Sequence, residues 1–122
     1  MNQDDVEAWT ELSDIYLSKQ NFTKALFCYE EIIANMPKNY LINLRYAETL
    51  YSAFKSSQDF DELVLARKYF SHAAILKEGT CIRALFGLVQ CCTKIAAMLN
   101  ENKKLQDSRN VEILATARKQ LK

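Results

Sequence analysis

Two apolar stripes separated by a polar break occupy the first third of the chain, from Val6 to Asn39. Within each stripe the apolar residues recur at steps of three and four, a spacing that places their side chains on one face of a helix. The first stripe holds Trp9, Leu12 and Tyr16, and the second holds Ala25, Tyr29 and Ile32. Pro37 ends the second stripe, because proline has no backbone N–H to continue a helical ladder. The pattern predicts two helices joined by a short turn, with Asn21 or Thr23 as the N-cap of the second.

The same pattern starts again at Tyr40. Its first helical stripe is formed by Leu44, Ala47, Leu50, Tyr51 and Phe54. The next small residue, Ala66, opens the series Ala66, Phe70 and Ala73 about seven residues later than a period of about 34 residues predicts. The extra residues fall in the polar segment 55–59, so we expect a lengthened loop between the two helices of this unit. Gly79 is expected to end the second helix.

A third unit begins at Thr80 and is less regular than the first two. A long apolar stripe runs from Ile82 to Leu99, with Gly87 at the position where the earlier units carry a small residue. Arg83 stands where the first unit has its tryptophan. A polar segment over 100–108 is expected to be a loop, and the remaining residues predict a final amphipathic helix with basic side chains near its end.

The order of residue types in the first unit resembles the tetratricopeptide repeat, a helix pair of about 34 residues. Three positions depart from that pattern, since Ser13 stands for the usual glycine, Tyr29 for phenylalanine and Ile32 for a small alanine. All other residue types and all spacings of the first unit agree. We expect these residues to pack the repeats: Trp9, Leu12, Tyr16, Ala25, Tyr29, Pro37, Ala47, Ala66, Phe70, Ala73 and Gly87.

This resemblance implies an all-α fold, a right-handed superhelix of about three helix-turn-helix pairs. The chain is then one domain over 1–122, with repeats at about 6–39, 40–78 and 80–122, the last of them degenerate. A helix pair of this kind leaves apolar residues that only a stacked neighbour can cover. The first helix of each pair is expected to line a concave surface.

Composition supports long helices with short connections, because the chain has only two glycines and one proline. The net charge of +1 gives no overall field that would attract nucleic acid. Acidic residues gather near the start and basic residues near the end of the chain. These runs are either solvated helix faces or, for the basic end, contacts to a partner or to lipid head groups.

Four cysteines occur without a C-x-x-C motif, which fits reduced, buried thiols in a cytosolic protein. We identified no signal peptide and no apolar run of about 18 residues, so the chain is expected neither to be secreted nor to span a membrane by itself. The single histidine, His72, is offset from the stripe of its helix and is expected to face solvent. Since no motif for a nucleophile, phosphate loop, metal or cofactor is present, we predict a non-enzyme that needs no cofactor.

Four residues are candidate contacts in the concave groove: Asp14, Leu44, Glu48 and Tyr51. Most other aromatic residues lie at helical spacing and are expected in the core. Some tetratricopeptide domains bind acidic C-terminal tails through basic and amide side chains at the positions held here by Thr10 and Asp14. Asp14 would repel a carboxylate, so the groove is not expected to take such a tail.

Several longer strings carry a closer resemblance. They are EAWTELSDIYLSKQNFTKALFCYEEII from Glu7, RYAETLY from Arg45, LARKYFSHAAILK from Leu65 and IRALFGL from Ile82. Together they resemble the C-terminal repeat region of the subunit 2 family of the endoplasmic reticulum membrane protein complex. The resemblance covers about residues 5–97, and members of that family are longer, so the chain is expected to be a fragment of a longer array.

What the resemblance implies is a non-catalytic scaffold. Such a subunit is a soluble, peripheral protein on the cytoplasmic face of the endoplasmic reticulum membrane, with only indirect membrane association. Its partners are the other subunits of a complex that inserts tail-anchored and multipass membrane proteins, and no nucleic acid is among them. The alternative is a generic tetratricopeptide adaptor that binds a short peptide or client helix in its concave groove.

Overall fold

The computed structural model describes residues 3–57, 59–78, 81–101 and 110–121, and in this part of the chain every element is an α-helix. The helices are α1 (Gln3–Ser18), α2 (Phe22–Asn35), α3 (Tyr40–Ser57), α4 (Phe60–Leu76), α5 (Ile82–Glu101) and α6 (Asn110–Leu121). Each helix packs on the one before and the one after it, and α3 also touches α5. The all-α class and the consecutive packing of helix pairs are therefore confirmed.

Small residues lie where the helices cross. Ala25, Ala47, Ala66 and Ala73 are each 0% exposed. Gly87 of α5 is also buried, and a Cβ built on it would overlap the ring of Phe70 in α4. The small size of these residues lets the helix backbones approach each other closely.

The other predicted packing residues differ in how deeply they lie. Tyr29 and Phe70 are buried in the core. Trp9, Leu12 and Tyr16 of α1 are only half-buried, and Trp9 packs edge-on against Phe27 with 6.2 Å between ring centroids. Pro37 is exposed after the end of α2. Side chains of α1 are thus less covered than those of α3 and α4.

Asn21 is the N-cap of α2, which decides between the two caps that the sequence allowed. Its side-chain oxygen accepts a hydrogen bond from the backbone N–H of Lys24 at 3.3 Å. Gln20 before it has a φ of 56°, the left-handed conformation that ends many helices. The turn from α1 to α2 is therefore short, as expected.

We expected a lengthened loop over 55–59. That prediction was wrong, because the extra residues extend α3 instead. This helix continues through Ser57, and α4 begins at Phe60. Asp59 caps α4 by accepting a hydrogen bond from the N–H of Asp61 at 3.0 Å. The polar segment holds neither glycine nor proline, so nothing in it stops the helix that the buried Phe54 anchors.

Within the described residues, one segment, Ile82–Leu99, is long and apolar enough to cross a membrane by length and composition. The expectation that no such run exists was therefore wrong. One face of the segment is buried against the neighbouring helices, as is usual for a core helix: Ala84, Leu85, Leu88, Cys91, Cys92 and Ile95. The third unit's expected boundaries at Gly79 and Thr80, and its polar loop after Glu101, lie outside the described residues, whereas Asn100 belongs to α5.

His72 does not simply face solvent, contrary to expectation. It is half-buried, and its Nδ1 lies 3.1 Å from the Oδ1 of Asn43, a residue that is 0% exposed. The amide nitrogen of Asn43 donates to the carbonyl oxygens of Pro37 at 3.1 Å and Asn39 at 2.8 Å. Because the amide oxygen can only accept, Nδ1 of His72 must carry the proton of their hydrogen bond. This pair joins α4 to the start of α3.

Candidate protein-interaction groove

Three adjoining cavities follow the exposed edge of α3. Their volumes are about 320, 340 and 360 Å³. Arg45 lines the first and the second cavity, and Glu48 and Arg83 line the second and the third. From Leu41 to Lys55 they span about 20 Å at the rise of an α-helix. We call this continuous depression the α3 groove.

Different helices form the walls of the α3 groove along its length. The first part is flanked by α1, whose exposed Glu7, Glu11 and Asp14 are spaced by four and three residues. That spacing places the three carboxylates on one helix face. The last part is flanked by α5, which contributes Ile82, Arg83 and Phe86 among others. The α3 groove is thus lined mainly by α1, α3 and α5, with Tyr29 of α2 and Phe70 of α4 also contributing.

Two ion pairs cross the groove. Nη1 of Arg45 lies 3.7 Å from Oδ1 of Asp14, and Nη2 of Arg83 lies 2.6 Å from Oε1 of Glu48. The hydrogen bond to Glu48 raises the pKa of Arg83, which keeps its guanidinium charged. Exposed pairs of this kind contribute about 0–1 kcal/mol to stability. They therefore orient the two arginines more than they hold the helices together.

An apolar cleft lies at the α5 end of the groove and is defined by Tyr51, Phe70, Ile82 and Phe86. The side chains of Ile82 and Phe86 are large and apolar, yet 63% and 57% exposed. The ring of Phe70 reaches this cleft across Gly87, which has no side chain to cover it. Burial raises the pKa of Tyr51, whose hydroxyl therefore stays protonated at neutral pH.

Three of the four candidate groove contacts line the α3 groove, namely Asp14, Glu48 and Tyr51. The prediction for Leu44 was wrong, because this side chain is 1% exposed and belongs to the core. Successive helical residues are about 100° apart. Arg45 therefore faces the groove when Leu44 faces inward.

Sequence reasoning missed the basic side of the groove, formed by Arg45 and Arg83, and the exposed Phe86. One signal for α3 was available in the sequence. Arg45, Glu48, Ser52 and Lys55 follow each other at steps of three, four and three, a polar helical stripe beside an apolar one. For Arg83 the only signal in the sequence was that an arginine stands where the first unit has a tryptophan.

Metal-binding clusters and cysteine thiols bear on the chemistry that the described residues can carry out. Among the described residues, no cluster of three or more His, Cys, Asp or Glu side chains could hold a metal ion. Burial raises the pKa of the Cys91 thiol to about 12, and it also raises the pKa of Cys28. At neutral pH both thiols are protonated and hence poor nucleophiles. What the groove presents is charge, hydrogen-bonding groups and one apolar cleft.

The chain was compared with known protein families and known proteins. The model of the family described as "EMC2 TPR-like repeat domain" matches residues 1–62, which include all of α1, α2 and α3. ER membrane protein complex subunit 2-B of Xenopus laevis is 36% identical over 118 residues, which cover 97% of this chain and 38% of the relative. TPR repeat protein oca3 of Schizosaccharomyces pombe is 31% identical over 113 residues, which cover 92% of this chain and 39% of the relative.

A more distant relative, ER membrane protein complex subunit 2 of Dictyostelium discoideum, is 29% identical over 114 residues. That alignment covers 85% of this chain and 33% of the relative. The chain thus spans about 38% of the length of the first relatives that it matches. Because the family model matches half of the sequence, the chain belongs to the EMC2 family of TPR-like repeat domains.

Proposed function

We propose that this chain is a non-catalytic protein-interaction scaffold whose α3 groove binds a segment of a protein partner. The observation that carries the proposal is the groove itself. It is about 20 Å long, lined by the first helices of three consecutive pairs, and it ends in an apolar cleft with exposed Ile82 and Phe86. Exposed apolar side chains set among polar ones are typical of binding surfaces. We propose further that the three helix pairs are three repeats of one domain.

The names of the relatives point to the setting of this scaffold. Two of those compared above are subunits of the ER membrane protein complex. We propose that this chain acts within such a complex, as a peripheral subunit on the cytoplasmic face of the endoplasmic reticulum membrane. Its partners are then other subunits, and its membrane association is indirect. The process it serves is the insertion of tail-anchored and multipass membrane proteins.

Co-purification tests this proposal. The tagged chain is expressed in cells, membranes are solubilised in mild detergent, and proteins bound to the tag are identified by mass spectrometry. We expect membrane-embedded subunits of the complex to co-purify. The double variant Ile82→Ser with Phe86→Ser should lose them, because it removes the exposed apolar side chains of the cleft at the end of the groove. Ile75→Ser is the matched control, since Ile75 is 70% exposed on α4 and lines none of the three cavities of the groove.

The result that would overturn the assignment to this complex is a wild-type pull-down without any of its subunits. A second candidate function would then remain, a general adaptor that binds a short peptide in the groove. The open apolar cleft favours it, because such a cleft needs no large folded partner to be filled. An adaptor of this kind would bind isolated peptides with the wild-type groove and lose them in the double variant.

A further inference from the structure

The two ends of the α3 groove differ in chemistry. At one end the wall of α1 carries Glu7, Glu11 and Asp14, all exposed on one helix face. One basic residue of the groove, Arg45, stands opposite, within 3.7 Å of Asp14. Three carboxylates against one guanidinium leave this end with an excess of negative charge. A partner segment lying here gains most from basic side chains.

The other end is apolar, with a basic rim. Ile82 and Phe86 are more than half exposed and face a cavity of about 360 Å³, which the ring of Phe70 also lines. Phe70 is 3% exposed and reaches the cavity only because Gly87 carries no Cβ. Binding energy at interfaces concentrates where a large side chain fills a pocket of this kind. The apolar cleft therefore suits one large aliphatic or aromatic side chain of a partner.

Arg83 stands between the two ends. Glu48 engages its Nη2 atom, while 62% of the side chain remains exposed. A guanidinium has five N–H donors in a planar fork, so further donors are available to an acceptor on a bound segment. A backbone carbonyl of the bound segment, beside the inserted side chain, could accept a hydrogen bond from one of these donors.

We propose that the α3 groove recognises an amphipathic peptide segment with a basic part and a single large apolar anchor. The basic side chains lie along the acidic face of α1, and the anchor enters the cleft beside Phe86. The distance along α3 from Arg45 to Ser52 is about 10 Å, which corresponds to about three residues of an extended peptide or seven of a helical one. The basic residues of the partner are therefore separated from the anchor by one of these two spacings. This inference rests on the proposed function, since it specifies the partner of the same groove.

The experiment is a selection of peptides from a random 16-residue library on the immobilised full chain, followed by fluorescence anisotropy titration of the enriched sequences. We expect a consensus with one large apolar residue and with Lys or Arg about three or seven positions away. Phe86→Ser should weaken binding at least about tenfold, the loss expected for an anchor pocket. Ile75→Ser is the matched control, because Ile75 is 70% exposed on α4 and lines none of the groove's cavities.

A second set of variants tests whether the acidic face of α1 binds the basic side chains of the peptide. The double variant Glu11→Lys with Asp14→Lys should weaken the basic peptide by about tenfold at low salt. A peptide with its basic residues changed to glutamate should bind this variant better than it binds the wild type. Glu78→Lys, an exposed charge reversal at the end of α4, should change neither affinity.

Three results would overturn the inference: no enriched sequence, an acidic consensus, or equal affinities for Phe86→Ser and Ile75→Ser. These failures are distinguishable from failure of the proposed function. If no peptide is selected but complex subunits still co-purify with the wild type and not with the Ile82→Ser, Phe86→Ser variant, the groove binds a folded surface instead of a linear segment. Circular dichroism of every variant checks that the helices are retained.

Discussion

The Nδ1 atom of His72 in α4 lies 3.1 Å from the Oδ1 atom of Asn43 in α3. Asn43 is fully buried and also donates to two carbonyl oxygens in the turn that precedes α3. One side chain thus connects the end of the first helix pair, the start of the second pair and its second helix. A buried amide of this kind is stabilising only while all its partners are present.

Replacing Asn43 should therefore be costly. We expect Asn43→Ala to lower the free energy of unfolding by about 2–3 kcal/mol, because it removes the hydrogen bonds that this buried amide makes to Pro37, Asn39 and His72. Asn35→Ala is the control: its amide is exposed and donates only to the carbonyl of Glu31, so a change within about 0.5 kcal/mol is expected. Urea unfolding followed by circular dichroism gives both values. Equal losses in the two variants would show that the buried network contributes nothing special.

The ring of Phe70 leaves no room for a side chain at Gly87, because it occupies the place where a Cβ would lie. Alanine in the middle of a helix is normally more stable than glycine by up to about 1 kcal/mol. Here the overlap costs about 1–3 kcal/mol, so Gly87→Ala should destabilise the chain on balance. In a Phe70→Leu background the same substitution should be neutral or stabilising. A double-mutant cycle by urea unfolding measures this coupling, and an unchanged effect in both backgrounds would contradict the close contact.

Trp9 should contribute less to stability than a fully buried aromatic residue. It is half-buried and packs on Phe27, which is itself 54% exposed, whereas Phe54 is 1% exposed in the core. We expect Phe54→Ala to cost about 3–5 kcal/mol and Trp9→Ala about 2 kcal/mol. Thermal and urea unfolding of the two variants give the order. A larger loss for Trp9→Ala would mean that α1 is more tightly packed than its exposure indicates.

Because of the buried thiol of Cys91, we expect the free energy of unfolding to fall at alkaline pH. Burial, and then the neighbouring Cys92, raise the pKa of its thiol from an ordinary value of 9.0 to about 12. The folded chain therefore holds this proton more tightly than the unfolded chain does. The stabilisation is fully present below pH 9 and is lost as the pH rises from 9 towards 12, by about 1.4 kcal/mol per pH unit.

The measurement is urea unfolding of the wild type and of Cys91→Ala at pH 8 and pH 10.5. Over this interval the wild type should lose about 2 kcal/mol more than the variant. Tyr46, whose pKa is raised by burial and by its hydrogen bond to Glu30, remains in both proteins, so its effect cancels. Parallel losses in the two proteins would show that Cys91 does not titrate on unfolding in this range.

Periodicity was sufficient to predict six helices, because each helix buries a stripe that a single sequence already displays. It was not sufficient to predict where α3 ends. The polar residues after Phe54 resemble a loop in composition, but none of them breaks a helix. Cap chemistry gave the better signal, as Asn21 and Asp59 show at the starts of α2 and α4.

The groove was harder to predict than the helices. Leu44 and Arg45 are neighbours in sequence, and which of them faces the groove depends on how α2 and α4 cover α3 on its other sides. Sequence spacing alone leaves the rotation of α3 about its axis uncertain by about 100°, the angle between successive residues of a helix. Asp14, Glu48 and Tyr51 were found because they lie on first helices. Arg83 also lies on a first helix and lines two cavities of the groove, but it was missed because it stands where the first unit has a packing tryptophan.

The consecutive packing of the helices also determines how the molecule opens. In the described part of the chain, the backbone of α1 comes close to α2 alone, and that of α6 comes close to α5 alone. Either α1 or α6 can therefore detach without exposing the contact between α3 and α4. Amide protons in α1 and α6 should consequently exchange with deuterium before those of α3 and α4. Since the acidic wall of the groove belongs to α1, a bound segment that bridges α1 and α5 would slow exchange in a helix that otherwise packs on α2 alone.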